Sequence, residues 1–263
     1  MLSIPRTIPR AALVTGAGQR LGAAIAVALA ESGFGVAVHC RGSVDGAAEV
    51  AAAVRARGRA ACVLQADLDD EAAVAALLPQ AAAALGGPVG VLVNNASRFE
   101  RDEWDTATRA SWDAHLEANL RAPFVLAQDL ARALAEAGDG TAEGIIVNML
   151  DQRVLSPTPH FVSYTLSKAA LWSLTQQLAL ALAPRVRVVG VGPGPALPSA
   201  RQTPEQFAAQ CASTPLRRGT SPAEVAAAVV ALIALPSVTG QMLALDGGQH
   251  LQWSPARGAS PEE

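Results

Sequence analysis

The sequence predicts an α/β chain built on a doubly wound parallel sheet with helices on both faces. Short apolar runs rich in valine alternate with long alanine-rich stretches, the pattern of βαβ units. The apolar runs are continuous rather than alternating, as expected of strands covered by helices on both sides. The first run leads into a glycine-rich turn and then a helical stretch.

The elements can be placed in order. Ala11–Val14 is a first strand and Leu21–Glu31 the helix after it, with Gly35–His39 and Gly46–Arg57 as the second pair. Ala60–Gln65 and Glu71–Leu85 form the third pair, with Asp69-Asp70-Glu71 suited to a helix N-terminus and its dipole. Val89–Val93, after Gly86, Gly87 and Pro88, is a fourth strand. Helices are expected over Trp104–Ala118 and Pro123–Ala137, a fifth strand over Ile145–Asn148 and a long helix over Tyr164–Ala183. A sixth strand at Arg187–Val191, a helix at Pro222–Leu235 and a last strand at Met242–Leu245 complete the set. Gly192–Ser199 reads as a substrate-facing loop, and Thr203 to Cys211 as a short mobile helix over the substrate. Nothing divides the chain: one domain over residues 10–253 follows an N-terminal extension at 1–9 and precedes a flexible polar tail at 254–263.

Composition narrows the classes. Hydrophobic residues make up 51% and aromatics 4%, so there is ample aliphatic mass for a core and the chain is not intrinsically disordered. A net charge of −3 gives no general attraction to a phosphate backbone and disfavours a nucleic-acid partner. Cys40, Cys62 and Cys211 are odd in number and lack metal-type spacing, so no metal site is expected. No apolar run approaches the ~20 residues of a bilayer span, and Met1 to Arg10 lacks a signal-peptide core. The expectation is a cytoplasmic protein acting on a small molecule, with no membrane partner.

The first turn reads Thr15-Gly16-Ala17-Gly18-Gln19-Arg20-Leu21-Gly22. Glycines there permit a tight turn and close approach to a pyrophosphate, whose charge sits against the N–H groups opening the helix. The alternative is a tight turn without a ligand, and the strand–turn–helix placement favours a Rossmann-type dinucleotide site. Arg20 can pair with phosphate or an anionic substrate edge, or be a solvated surface cation. After the second strand no carboxylate precedes Asp45, although an NAD site uses one to hold the ribose 2′-hydroxyl. Arg41, with His39 and Ser43, can hold a 2′-phosphate instead, which points to NADPH/NADP+; an incidental surface arginine is the alternative.

The chain contains one tyrosine and, read through, one lysine, and these fall at positions 164 and 168 in Tyr164-Thr165-Leu166-Ser167-Lys168. Spacing i, i+4 puts both on one helix face. An ammonium beside a phenol lowers the phenol pKa and prepares it for proton transfer.

With these pieces in place the chain resembles the short-chain dehydrogenase/reductase family from Arg10 to about Trp253. The resemblance rests on TGAGQRLG at 15–22, Ala66-Asp67-Leu68, Asn94-Asn95-Ala96-Ser97, Asn119, YTLSK at 164–168, Gly192-Pro193-Gly194 and VTGQMLALDGG at 238–248. It implies that Tyr164 is the general acid/base, that Lys168 binds the nicotinamide ribose, and that Asn119 holds a water in a proton relay. It places Gly16, Gly18, Leu21, Gly22, Asp67, Leu68, Asn95, Ala96, Pro193 and Gly194 along the cofactor, and it implies a homotetramer.

One departure stands out. Where the family usually carries a catalytic serine, thirteen residues before the tyrosine, this chain has Asp151. That feature resembles the pteridine reductase branch and the bacterial dihydromonapterin reductases, as do Arg20, the segment ending in Phe99, and Asp246-Gly247-Gly248 with His250. By that resemblance Asp151 supports protonation of a pterin nitrogen, Phe99 stacks on the pterin, and Ser97 and Arg20 contact substrate and cofactor. Phe99 can equally be a core aromatic. His115 and His160 read as surface or packing residues, and Trp104, Trp112, Trp172 and Trp253 as core or subunit-contact aromatics. Three functions follow: an NADPH-dependent pterin reductase first, a carbonyl reductase of the same fold second, and a non-catalytic NADP-binding regulator third.

Overall fold

Strand β1 (Ala11–Val14) is buried along its whole length because its successive side chains enter two different cores. Ala12 and Val14 join the cluster built with Ile25, Leu29, Val50 and Val229, while Ala11 and Leu13 join the one built with Leu77, Leu126, Leu130 and Leu178. This is the period-two geometry of a strand covered on both faces. The computed structural model describes residues 3–137, 141–199 and 201–252. The expected tail at 254–263 and Trp253 lie outside them.

From β1 the chain passes through helix α1 (Arg20–Glu31), β2 (Gly35–Cys40), α2 (Val44–Arg55), β3 (Ala61–Gln65), α3 (Glu71–Leu85) and β4 (Val89–Asn94). It continues through α4 (Arg109–Leu116), a π-helical turn (Glu117–Arg121), α5 (Ala122–Glu136), β5 (Gly144–Met149), a 3-10 turn (Gln152–Val154) and α6 (Val162–Ala181). The last elements are β6 (Val186–Pro193), α7 (Pro204–Ser213), α8 (Pro222–Ile233), β7 (Met242–Leu245) and a 3-10 turn (Gln249–Leu251). The seven strands are parallel and lie in the order β3-β2-β1-β4-β5-β6-β7. Helices α1, α2 and α8 cover one face and α3, α5 and α6 the other. The chain winds outward from β1 to β3, then returns to β4 and winds the other way. That reversal opens a crevice beyond the carboxyl ends of β1 and β4, the place where such sheets bind ligands.

Most expected boundaries hold to within two residues. The exception is the helix expected at Trp104–Ala118, which begins at Arg109. Thr108 accepts from Ser111 N–H and Ser111 Oγ accepts from Thr108 N–H, a reciprocal cap that starts the helix there. Trp104 therefore stands in a turn and is 85% exposed, so of its two readings, core or subunit contact, the core one is excluded. Asp70 caps α3 by accepting from Ala72 and Ala73 N–H, in line with the acidic run. Among the described residues no helix is long and apolar enough to cross a membrane.

Candidate active site

Two connected hollows occupy the crevice. The first, of about 560 Å³, is a groove bordered by Gly16, Arg20, Leu21, Gly22, His39, Arg41, Ser43, Asp67, Leu68, Asn95, Ala96, Ser97 and Phe99. Gly16 has φ +62°, in the region glycine enters freely. At Gly22 a Cβ would collide with the Gly16 carbonyl, so the turn folds back on α1 only with glycine. Gly18 packs beneath Ser43 rather than bordering the groove. Thr15 and Asn95 lock the turn: Thr15 Oγ1 accepts from Asn95 and Ala96 N–H at 3.0 Å each, and Asn95 Nδ2 donates to Thr15 O at 2.9 Å and Gly16 O at 3.0 Å. The N-terminus of α1 has no side-chain cap, since Gln19 makes none, so its N–H groups and the positive end of its dipole are available to an anion.

His39 has a different task from the one expected. Its Nδ1 accepts from Gly16 N–H at 3.1 Å and its Nε2 pairs with Ala66 O at 3.2 Å. Burial holds its pKa below the ordinary 6.5. A neutral ring with both nitrogens bonded to backbone cannot pair with a 2′-phosphate, so Arg41 and Ser43 are left at that end of the groove. Arg20 occupies a turn position with φ +54°, a conformation that favours glycine. Its guanidinium donates to Pro198 O at 3.0 Å and Leu197 O at 3.4 Å, tying the glycine turn to the loop after β6.

The second hollow, of about 240 Å³, opens from the first. Ser97, Phe99, Asp151, Arg153, Tyr164, Lys168, Pro193, Gly194, Leu197 and Gln249 border it. Pro193 and Gly194 thus face this hollow and not the groove. Tyr164 donates to Asp151 Oδ2 at 2.8 Å, and Lys168 Nζ donates to Met149 O at 2.7 Å. Burial and the Asp151 carboxylate push the Tyr164 pKa well above its ordinary 10, against the opposing charge of Arg153. Burial lowers Lys168 from 10.5 to about 8. The net shift of Tyr164 is thus upward, set by burial and Asp151, while the Lys168 ammonium lies 5.9 Å from the ring centroid and gives its hydrogen bond to a carbonyl. Tyr164 is held as the protonated phenol.

Phe99 lies edge-on to Tyr164 with centroids 4.7 Å apart, and stacks on Phe161 at 4.7 Å and 6°. Asn119 sits in the π-helical turn, where its Oδ1 accepts from Arg98 N–H at 2.8 Å. Its Nδ2 donates to Arg98 O at 3.0 Å and Ser167 Oγ at 2.9 Å. The side chain braces the Phe99 segment against α6.

Three groups of residues escaped the sequence. Arg153 is buried between the aromatic rings and Asp151. Asp102, His115 and Ser163 form a buried cluster behind Tyr164: Asp102 accepts from Ser163 N–H at 3.1 Å, from Ser163 Oγ, and from Ser111 Oγ at 3.0 Å. His115 adds contacts to Ser163 Oγ at 2.7 Å and Glu100 N–H at 3.1 Å. Arg201 donates to Phe99 O at 3.2 Å. No spacing rule joins these positions; only the fold does.

A glycine-turn groove leading to a Tyr–Lys pair at the topological switch point defines an oxidoreductase of the dinucleotide-binding type. The chain belongs to the short-chain dehydrogenase family, whose profile, described as short chain dehydrogenase, matches residues 10–207. The crystal structure of FolM alternative dihydrofolate reductase 1 from Brucella canis, complexed with NADP, superposes with a TM-score of 0.89 at 45% identity, covering 96% of this chain and 98% of that one. The 3beta-hydroxysteroid dehydrogenase 1 of Eggerthella lenta is 33% identical over 91% of this chain and 93% of its own length. The probable galactose dehydrogenase GalD of Rhizobium meliloti is 38% identical over 70% of this chain and 71% of its own length.

Proposed function

We propose that the chain is an NADPH-dependent reductase of a pterin or dihydropterin. The observation that carries this reading is the 2.8 Å hydrogen bond from Tyr164 to Asp151, at the position where the family usually has serine. The likeness to a solved alternative dihydrofolate reductase with bound NADP supports it.

The residues of the groove fit that cofactor. The uncapped start of α1 suits a pyrophosphate, and Arg41 and Ser43 border the groove where a carboxylate would repel a 2′-phosphate. When bound, the reduced nicotinamide supplies the hydride. Lys168 then holds the nicotinamide ribose, and Tyr164 keeps a proton on its hydroxyl oxygen for the substrate atom that gains charge. A phenol that rests protonated starts the reaction as the donor and not as a base, and its surroundings must ease the release of its proton. Asp151 accepts the tyrosine hydrogen bond, and the proton that Tyr164 gives up is replaced from solvent by way of that carboxylate. Phe99 and Ser97 wall the substrate, while Arg20 holds the Leu197 loop over the site and shares its remaining N–H groups with ligand.

A second reading, reduction of a carbonyl, draws on relatives named for steroid and galactose dehydrogenation. Oxidation of NADPH by the purified full chain separates the two across dihydropterins, folates and simple ketones. A dihydropterin kcat/KM exceeding that of any ketone by roughly tenfold, with NADH poorer by a similar factor, is the expected result. Turnover of ketones with no response to dihydropterins removes the pterin reading.

A further inference from the structure

The hydrogen bond between Tyr164 and Asp151 has a third member. Arg153 lies two residues after Asp151 in the 3-10 turn and is buried. Its backbone N–H donates to Asp151 Oδ1 at 2.8 Å. Its Nη1 lies 3.3 Å from Oδ2, the same oxygen that accepts the Tyr164 hydroxyl at 2.8 Å. The guanidinium carbon sits 5.8 Å from the Tyr164 ring centroid, 5.6 Å from that of Phe99 and 5.3 Å from that of Phe161. One carboxylate oxygen thus serves two donors, a fixed cation and the phenol.

We propose that Arg153 is a positioning residue that acts through Asp151: it fixes the rotation of the carboxylate and takes a share of Oδ2, which limits how tightly that oxygen holds the Tyr164 proton. The inference rests on the proposed partnership of Tyr164 and Asp151 but not on the identity of the substrate.

A buried charge left without its partner is strongly unfavourable, and hydrogen bonds between ions are the strongest a side chain makes. Without the guanidinium, Oδ2 turns wholly to the phenol and the proton becomes harder to release. The charged and titratable groups facing Tyr164 are Asp151 and Arg153 from the turn before α6, His115 from α4 with its ring 6.2 Å away, and Lys168 from its own helix at 5.9 Å. Lys168 is drawn toward Met149 O, which leaves Arg153 as the cation that shares the acceptor with the phenol. The charge of Arg153 opposes that of Asp151 at the tyrosine, in agreement with this geometry. Arg153 borders the hollow that Lys168 also lines and not the groove beside the glycine turn, so its effect should leave the hold on the cofactor's phosphate end intact.

Because the chain has one tyrosine, labelling tyrosine with 13C at the ring carbon bearing the hydroxyl gives a single NMR resonance that reports its hydrogen bond. Two charge-removing variants are used: R153M, which keeps the stem against the rings, and R153Q. Each is expected to shift that resonance and to lower kcat roughly tenfold while the KM for NADPH stays unchanged. R153K restores part of both. In a D151N background, R153M adds no further shift. An unmoved resonance in a folded charge-removing variant that still binds NADPH overturns the proposal, and so does an equal shift with and without Asp151. If dihydropterins prove not to be substrates, the proposed reduction fails while the resonance still decides the role of Arg153.

Discussion

Tyr164 and Lys168 occupy one turn of one helix, yet their surroundings move their protons in opposite senses. Burial penalises whichever form is charged, so it raises the phenol and lowers the ammonium. For Lys168 the consequence has a definite sign. Below about pH 8 folded and unfolded chains both carry the ammonium, and the folded one bears the cost of burying it. Between about 8 and 10.5 the unfolded chain binds more proton, so this residue's cost is relieved as pH rises through that window. The single lysine can be followed directly: its 15Nζ resonance should titrate near pH 8, whereas a midpoint near 10.5 would show the ammonium to be solvated. The pairing of Tyr164 with Lys168 and the aspartate at 151 were legible in the sequence, because helical spacing and the family pattern mark them. The direction of the tyrosine shift was not, because it depends on Asp151 and Arg153 arriving from the preceding turn.

Helix α6 carries both residues and begins without a cap of its own. Phe161 precedes it at φ +56°, and the first helical N–H groups are received by a distant residue: Val162 N–H by Asp102 O at 3.2 Å and Ser163 N–H by Asp102 Oδ1 at 3.1 Å. This long-range cap explains why the helix starts two residues before the expected Tyr164. It also ties the start of α6 to the segment that carries Phe99. Burial alone would raise the Asp102 pKa, but donors from Ser163 and Ser111, with His115 nearby, hold it below 3.8. The stability contributed by this ionisation is complete above 3.8 and is lost as pH falls through the lower folded value. Replacing Asp102 with alanine leaves these donors unpaired and should cost about 2–4 kcal/mol, a fall in Tm on the order of 5–10 °C. Calorimetry checks the stability, and kcat should fall further than the folded fraction does. A melting temperature within a degree or so of the parent would show that α6 caps itself.

At the scale of the whole molecule, the sheet order brings together segments far apart in sequence. The glycine turn after β1, the loop after β2, the Asn95–Phe99 segment after β4 and Asp151 after β5 all meet at the crevice made by the reversal between β1 and β4. This much could be read beforehand, since alternating strands and helices with short turns admit few topologies. The closure of the site could not. Arg20 reaches Leu197 and Pro198 across the crevice, and Arg201 reaches back to Phe99, so two arginines join the loop after β6 to the opposite wall. Their partners are backbone carbonyls, which leave no trace in residue types. The proposed pterin reduction requires that this crevice bring a reduced nicotinamide to a pterin ring under Tyr164 and Asp151. The most direct test incubates the full chain with a dihydropterin and NADPH deuterated at the transferring position, then weighs the product. A tetrahydropterin heavier by one deuterium is the predicted result. Unlabelled pterin recovered unchanged, while a ketone in the same mixture takes up the deuterium, would contradict it.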